Sequence, residues 1–233
     1  MKSLVTVKTP EEAANIADTP PDIIDIKNPG EGSLGAQPAH RIERIMDAAP
    51  STASTSIAVG DVPHLPGTVS LAVHGALQYN PDYIKVGLKG PETIEDAIEL
   101  LRAASEGLNG SSTKLVAGGY ADHKRFNSVN PVDLPTIATK SGADAVMIDT
   151  AEKDGKTLFD HTEPQTLQEI VEEAKQQNLT TAAAGSLDIE QVGKIRDIGF
   201  DIFGVRGAVC TGTDREASLD PEIVREMLGR LDQ

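Results

Sequence analysis

The stretch YIKVGLKGPETIEDAIELLRAAS, residues 83–105, places a strand directly before a helix. Residues 83–87 form a short β-rich run, and residues 93–105 carry apolar side chains at helical spacing. Pro91 fits the first helical position, where the N–H that proline lacks is not needed. A strand followed at once by a helix is the repeating unit of parallel α/β folds.

The same unit recurs at a steady interval along the whole chain. The predicted strands lie at residues 4–7, 22–27, 56–60, 83–87, 114–118, 145–149, 181–185 and 202–206. Helical periodicity is clearest over residues 93–105, 166–176, 189–198 and 221–231, the last of these after an N-cap at Asp220 and a proline at 221. Eight units in 233 residues predict a (β/α)₈ TIM barrel, an α/β fold with a single domain over residues 1–233. The alternative is a doubly wound open sheet, which usually has fewer strands.

Composition and charge exclude several classes of function. The 36 acidic and 21 basic residues give a formal net charge of −15. This balance argues against nucleic acid and anionic membranes as partners, because both require a basic surface. The one cysteine, Cys210, excludes an internal disulfide and a multi-cysteine metal cluster, and we expect it to be a small packed residue. Since no apolar run approaches the roughly 18 residues of a spanning helix and no signal peptide is evident, we expect a cytoplasmic protein.

Polar residues cluster at the ends of the predicted strands, where barrels of this type carry their catalytic groups. Side chains two residues apart share one face of a strand, so Asp25 and Lys27 should point into the barrel. The same alternation places Lys85 and Asp149 inside. Because alternate strands supply each interior layer, we expect the even-numbered strands to form one charged layer of Lys27, Lys85, Asp149 and Arg206. The odd-numbered strands should contribute mainly alanine, glycine and serine.

Interior lysines suit two different roles. Each could form a structural ion pair with a carboxylate such as Asp25 or Asp149. Burial and a neighbouring cation, however, lower the pKa of a lysine and free its amine to attack a carbonyl. A nearby carboxylate could then move protons as a general acid or base. Two lysines on alternate strands with carboxylates beside them favour Schiff-base chemistry on a carbonyl substrate.

The loops after strands 7 and 8 predict a phosphate site. TIM barrels often bind phosphate there, where glycines let backbone N–H groups approach the ligand. Ser186 offers a hydroxyl, Arg206 offers a bidentate donor, and Gly207 allows close approach. The alternative is that these glycines only permit tight turns.

A second glycine-rich segment, GEGSLG at residues 30–35, literally matches the dinucleotide pattern GxGxxG. Two residues separate it from the strand, and the preceding Lys27 is not what a dinucleotide fold requires at this turn. We therefore expect a nest of amides near Ser33 and Gly35 that holds a second phosphate.

The five histidines lack the spacing of metal ligands. His64, His123 and His161 nevertheless fall in loops on the catalytic side, so a metal-dependent lyase remains an alternative. We expect no metal site and no cofactor.

Several long motifs occur in one order along the chain. They are DIIDIKNPGEGSLGA (22–36), VGDVPHLPGTVSLA (59–72), DYIKVGLKG (82–90), AGGYAD (117–122), MIDTAEKDGKTLFD (147–160) and DIFGVRGAVCTG (201–212). In these motifs the sequence resembles the (5-formylfuran-3-yl)methyl phosphate synthase family, an archaeal family similar to class I aldolases in its barrel and lysine chemistry.

The resemblance implies a specific reaction. The family condenses two molecules of glyceraldehyde 3-phosphate into 4-(hydroxymethyl)-2-furancarboxaldehyde phosphate, the furan precursor of methanofuran, with release of phosphate and water. No organic cofactor or metal takes part. The expected partner is therefore a phosphorylated triose, and two such molecules require two anion sites.

The resemblance also implies roles for individual residues. Lys27 would be the Schiff-base lysine, Lys85 a second essential lysine, and Asp25 its acid–base neighbour. Asp149 and Lys153 would serve proton transfer and elimination. Lys153 lies in a loop, where strand alternation does not distinguish it from Lys156.

Two other functions fit the same residues. A class I triose- or deoxyribose-phosphate aldolase would use the lysine and the phosphate site but would stop at the linear aldol product. A non-catalytic metabolite-binding barrel would not require paired interior lysines. Residue patterns do not separate the first two enzymes. A homo-oligomer formed through the outer helices also stays open, because barrels commonly associate in this way.

Overall fold

The computed structural model describes residues 1–231 and contains a closed barrel of eight parallel strands in sequential order, which confirms the predicted fold. The strands are Lys2–Val7 (β1), Ile23–Ile26 (β2), Ser54–Ala58 (β3), Tyr83–Gly87 (β4), Lys114–Tyr120 (β5), Ala145–Asp149 (β6), Thr180–Ala183 (β7) and Ile202–Val205 (β8). β1 pairs with both β2 and β8, and this pairing closes the barrel.

Eight helices surround the strands. They are Pro10–Asn15 (α1), Ala39–Ala48 (α2), Pro66–Ala76 (α3), Ile94–Gly107 (α4), Leu134–Ser141 (α5), Pro164–Gln176 (α6), Val192–Ile198 (α7) and Pro221–Leu231 (α8). None of the helices in the described part of the chain combines the length and hydropathy needed to cross a membrane.

Two predicted helix starts have different outcomes. Asp220 accepts a hydrogen bond from the Glu222 N–H at 3.0 Å just before α8, as expected of an N-cap. The prediction for Pro91 was wrong, because α4 begins three residues later. Thr93 caps it and accepts the Asp96 N–H at 3.1 Å.

Strand alternation divides the core into two layers. Ile24, Ile26, Ile84 and Val86 face outward and pack in the large cluster between strands and helices. A smaller cluster inside the barrel includes Leu4, Ile23, Met147 and Ala182. Cys210 is fully buried in the outer layer, as expected for a packed residue.

One aspartate precedes each even-numbered strand at the amino-terminal end of the barrel; we call these four residues the base aspartates. Their carboxylates accept the N–H of a residue on the preceding odd strand at 2.7–2.8 Å, and their main-chain carbonyls accept an N–H of the following odd strand at 2.8–3.1 Å. Each base aspartate thus links both neighbouring strands and fixes their register. The base aspartates are Asp22, Asp82, Asp144 and Asp201.

Candidate active site

A cavity of about 450 Å³ opens at the carboxyl ends of the strands. Asp25 and the loop residue Lys153 line it, and so do the four residues expected in the charged interior layer, Lys27, Lys85, Asp149 and Arg206. Their predicted convergence is confirmed. The cavity therefore concentrates ionic groups inside the barrel, and their contacts determine what each can do.

Lys85 and Asp25 form a buried ion pair. The Lys85 Nζ lies 2.6 Å from the Asp25 Oδ1, and both side chains are at most 2% exposed. The Thr6 hydroxyl donates to the other carboxylate oxygen of Asp25 at 2.9 Å. The carboxylate is thus held from β1 and β4 at once, and it keeps the Lys85 ammonium in place at the floor of the cavity.

Lys27 lies one residue beyond β2, with its Nζ 3.9 Å from the Asp149 Oδ2. Burial lowers the pKa of Lys27 to about 8, although the charge of Asp149 opposes this shift. The neighbouring Lys85 ammonium lowers it further. At pH 7 the Lys27 amine is therefore uncharged in about a tenth of the molecules, a far larger fraction than for a free lysine.

Asp149, the last residue of β6, lies between two ammonium groups. Its Oδ1 accepts the Lys153 Nζ at 2.7 Å, and its Oδ2 accepts the Ser33 hydroxyl at 2.9 Å. Burial by itself raises the pKa of Asp149, but Lys153, Lys27 and these hydrogen bonds outweigh it and hold the pKa well below its usual range. The carboxylate is therefore ionised at neutral pH.

The segment around Lys153 is held by the neighbouring loop. The Asp122 carboxylate accepts the N–H groups of Ala151 at 2.7 Å and of Glu152 at 2.9 Å. Arg125 forms an ion pair with Asp154 at 2.8 Å. These contacts fix the backbone on both sides of Lys153. Asp122 was not among the predicted site residues, although it closes the motif AGGYAD just after a strand.

The side chain of Arg206 is not available to a phosphate, which corrects that prediction. All five of its N–H donors are used within the protein. Glu12 of α1 accepts two of them, at 3.0 and 3.1 Å. The carbonyls of three residues accept the others at 2.6–3.1 Å: Thr6, Arg215 and Ala217. Arg206 instead ties the loop after β8 to α1.

The structure places the predicted second phosphate site, at Ser33 and Gly35, outside the cavity. The Ser33 hydroxyl donates to the Asp149 carboxylate, whose negative charge disfavours an anion beside it. The Gly35 carbonyl accepts the Asn28 N–H at 2.9 Å, and a Cβ at this position would overlap the backbone of Asn28 and Glu31. Gly35 therefore serves tight loop packing.

Ser186 and Gly207 do line the cavity. Ser186 follows Gly185, and the two have φ angles of +52° and +100°. Because these left-handed conformations turn the chain sharply after β7, the loop stays close to the cavity wall. Phosphate binding by Ser186 and Gly207 remains a prediction.

Arg215, which was not among the predicted site residues, lines the same wall. Its Nη2 donates to the carbonyls of Pro29 at 3.3 Å and of Gly32 at 3.5 Å. The contacts join the loop after β8 to the segment that follows Lys27. The signal in the sequence is a basic residue in the loop where barrels often bind phosphate.

Two further residues depart from the expected small side chains of the odd strands. The hydroxyl of Tyr120, at the end of β5, donates to Asp61, and both groups are largely buried. Burial raises the pKa of Asp61, and the bond from Tyr120 opposes the shift. A Cβ at position 87 would overlap the Asp61 carboxylate, so this position requires glycine. The pair packs beside the cavity and does not line it.

The three loop histidines, His64, His123 and His161, do not line the cavity. Among the described residues, His64 is part of one group with metal-ligating side chains, together with Asp96 and Glu99. The His64 Nε2 lies 3.2 Å from the Glu99 Oε2 on the outside of the barrel. This group is separate from the lysines.

The sequence matches the family model described as 4-HFC-P synthase over residues 3–228. Two relatives are named (5-formylfuran-3-yl)methyl phosphate synthase. The relative from Methanococcus maripaludis (strain C5) is 43% identical over 228 residues, which cover 97% of each chain. The relative from Methanothermobacter thermautotrophicus is 42% identical over 234 residues, which cover 100% of this chain and 99% of the relative.

Solved structures share the barrel at low sequence identity. The 3-hexulose-6-phosphate synthase from Salmonella typhimurium has a TM-score of 0.67 at 17% identity, with 100% of this chain and 99% of that chain covered. KGPDC from Streptococcus mutans has a TM-score of 0.62 at 11% identity, with 99% and 97% covered. These likenesses support the fold alone. The family match spans nearly the whole sequence and includes every residue that lines the cavity, so the chain belongs to the 4-HFC-P synthase family.

Proposed function

We propose that this enzyme condenses two molecules of glyceraldehyde 3-phosphate into 4-(hydroxymethyl)-2-furancarboxaldehyde phosphate, with loss of phosphate and water. It is then an aldolase-like carbon–oxygen lyase that uses a lysine Schiff base, and its product is a methanofuran precursor. The observation that carries the proposal is the position of Lys27, a buried lysine with a pKa of about 8 in a cavity with two further lysines.

The contacts of Lys27 suit it to imine formation. Its uncharged amine attacks the aldehyde carbon, and the resulting carbinolamine loses water to give the imine. Protonation of the imine makes the hydrogens on the adjacent carbon acidic. The 3.9 Å separation from Asp149 lets this carboxylate stabilise the cationic iminium without consuming the amine in a close ion pair.

Two buried ion pairs supply the proton transfers. Lys85 and Asp25, whose Nζ and Oδ1 are 2.6 Å apart, form one pair that can give a proton to the substrate or take one from it. Asp149 and Lys153, 2.7 Å apart, form a second pair next to Lys27. Ring closure and elimination need such donors, because hydroxyl and phosphate groups leave more readily when a cation or proton neutralises them. A simple aldol addition needs fewer groups.

The test is to incubate the protein with glyceraldehyde 3-phosphate, reduce with borohydride, and identify both the modified lysine and the product. We expect a label on Lys27 and a furan chromophore. Lys27→Arg keeps the charge but removes the nucleophile, so labelling and turnover should vanish. Lys156→Arg is the matched control, because this exposed lysine lies in the loop next to Lys153 and does not line the cavity.

The other outcomes identify the alternatives. A linear hexose bisphosphate with Lys27 labelled would indicate a class I aldolase. Turnover without any trapped lysine would contradict the Schiff base. Survival of turnover in Lys27→Arg would exclude the covalent role of this residue.

A further inference from the structure

We propose that Arg215, in place of Arg206, binds the phosphate group of the substrate. The inference rests on the proposed function, which makes the substrate a phosphorylated triose. It adds a specificity-determining residue in the loop between β8 and α8, where the family motifs noted in the sequence do not reach.

The fold places Arg215 on the wall where phosphate was expected. The loop after β8 folds back over Gly207, so that a Cβ on this glycine would lie 3.4 Å from the Thr213 carbonyl oxygen and 3.7 Å from the Arg215 Cβ. Gly207, Thr213 and Arg215 all line the cavity. The guanidinium is thus carried to the same wall as Ser186, although it lies nine residues beyond Arg206.

The donors of Arg215 are only partly used, in contrast to those of Arg206. Within residues 1–231, its side-chain hydrogen bonds run from Nη2 to the carbonyls of Pro29 and Gly32. The Nε lies 4.0 Å from the Glu216 Oε1, too far for a hydrogen bond. The Nε–H and the Nη1 group are therefore available. Charge-assisted hydrogen bonds from these donors can bind phosphate oxygens.

Charge also distinguishes the two arginines. The Glu12 carboxylate neutralises Arg206 at 3.0 Å, and both side chains are 4% exposed. The Arg215 side chain is 22% exposed, and among residues 1–231 no carboxylate lies within hydrogen-bond distance of it, so its positive charge acts on the cavity. Burial lowers the pKa of Arg215 while Asp149 raises it, and an arginine stays protonated at physiological pH through such shifts.

The contacts to Pro29 and Gly32 determine how a substrate bound at Arg215 would be oriented. They hold the guanidinium against the segment that begins two residues after Lys27. A phosphate bound at Arg215 would anchor one end of the triose near this segment, while the cavity continues inward to the lysines. The residue would therefore select phosphorylated over unphosphorylated aldehydes.

The experiment compares glyceraldehyde 3-phosphate with glyceraldehyde on wild type, Arg215→Met and Arg215→Lys. The rate of borohydride-trapped Lys27 adduct is measured by mass spectrometry. We expect Arg215→Met to lose about 30- to 100-fold with the phosphorylated aldehyde, as for loss of charge-assisted hydrogen bonds, and to change little with glyceraldehyde. Arg215→Lys should recover part of the difference. Arg44→Met, an exposed arginine outside the cavity, is the control and should behave as wild type.

Each failure has its own signature. If Arg215→Met retains the wild-type preference for the phosphorylated aldehyde, the inference is wrong while the Lys27 adduct keeps the proposed function. If wild type forms no Lys27 adduct with either aldehyde, the proposed function is wrong. Calorimetry with inorganic phosphate then decides the inference separately, because binding to wild type that Arg215→Met lacks supports it and equal binding overturns it.

Discussion

Lys27 is the residue whose chemistry should set the pH dependence of the enzyme. Its amine reacts only when uncharged, and its pKa is about 8. The rate of borohydride-trapped modification should therefore rise about tenfold for each pH unit below this value and level off above it. The measurement is the trapping rate between pH 6 and 9.5. A rate that keeps rising to pH 10 would mean an ordinary lysine.

Burial of Lys27 should also cost stability. Its pKa falls from about 10.4 in the unfolded chain to about 8 in the folded protein, so the folded state binds the proton less well. The cost is therefore present below pH 8 and disappears as the pH rises from 8 to 10. Lys27→Met should raise the free energy of unfolding at pH 7 by about 3 kcal/mol while it abolishes activity. Urea unfolding at pH 7 and pH 10 checks this; equal effects at both would contradict it.

Arg206 should matter for stability rather than for substrate binding. Its removal leaves the Glu12 carboxylate buried without its cation, because among residues 1–231 the one donor that remains on it is the Lys8 main-chain N–H at 2.7 Å. Arg206→Met should lower the free energy of unfolding by about 3–5 kcal/mol. Urea unfolding provides the measurement. If the variant is as stable as wild type but has a raised KM, Arg206 contributes to phosphate binding after all.

The residues of the candidate site were predictable to different degrees. Lys27, Lys85 and Asp149 follow from strand alternation, since each side chain points inward, from just beyond β2, the middle of β4 and the end of β6. Glu12 was not predictable, because it meets Arg206 across 194 residues when the barrel closes. A charged residue in a sequence has no visible partner until the fold brings one to it.

The loop between β5 and α5 holds the loop that carries Lys153. Asp122→Ala removes the acceptor of two successive N–H groups, at 2.7 and 2.9 Å, and should release this segment. We expect kcat to fall about tenfold or more with KM less affected, since a small misplacement of a catalytic group is costly. Amide hydrogen exchange at Ala151 and Glu152 should become faster, which reports on the loop without reference to activity.

Asp144→Ala is the matched control for this experiment. Asp144 accepts the Leu115 N–H at 2.8 Å at the opposite end of the same two strands. The variant should lose stability but keep its kcat. If Asp122→Ala leaves kcat and the exchange of the two amides unchanged, the loop does not depend on Asp122.

The bounds of a strand or helix were predictable where the local sequence pattern and the tertiary contacts define the same ends. The bounds of β4, β6 and α8 match the prediction, and the Asp220 cap marks the start of α8. β3 begins two residues earlier than expected, at Ser54, whose N–H bonds the main-chain carbonyl of Asp22. A neighbouring strand therefore sets this start, and the local sequence does not contain that information.

The base aspartates extend this interdependence to the whole molecule. Asp22 and Asp144 head β2 and β6, so they act on different pairs of strands. Each replacement by alanine should lower the free energy of unfolding by about 1–3 kcal/mol, because it leaves a strand N–H without its acceptor. The double variant should show the sum within about 0.5 kcal/mol. Urea unfolding of the two single variants and the double variant tests this, and a marked departure from additivity would show that the barrel base is coupled across its width.

Because the linkage by a base aspartate occurs four times, parts of the barrel could be exchanged without loss of strand register. Two adjacent strands with their following helices form a quarter of the molecule, and each quarter carries its own register marker at the end away from the cavity. Insertions or exchanges in the loops at the open end leave these markers in place. A quarter transplanted from another barrel with the same aspartate should therefore align correctly, so new loops could be introduced piece by piece while the scaffold stays in register.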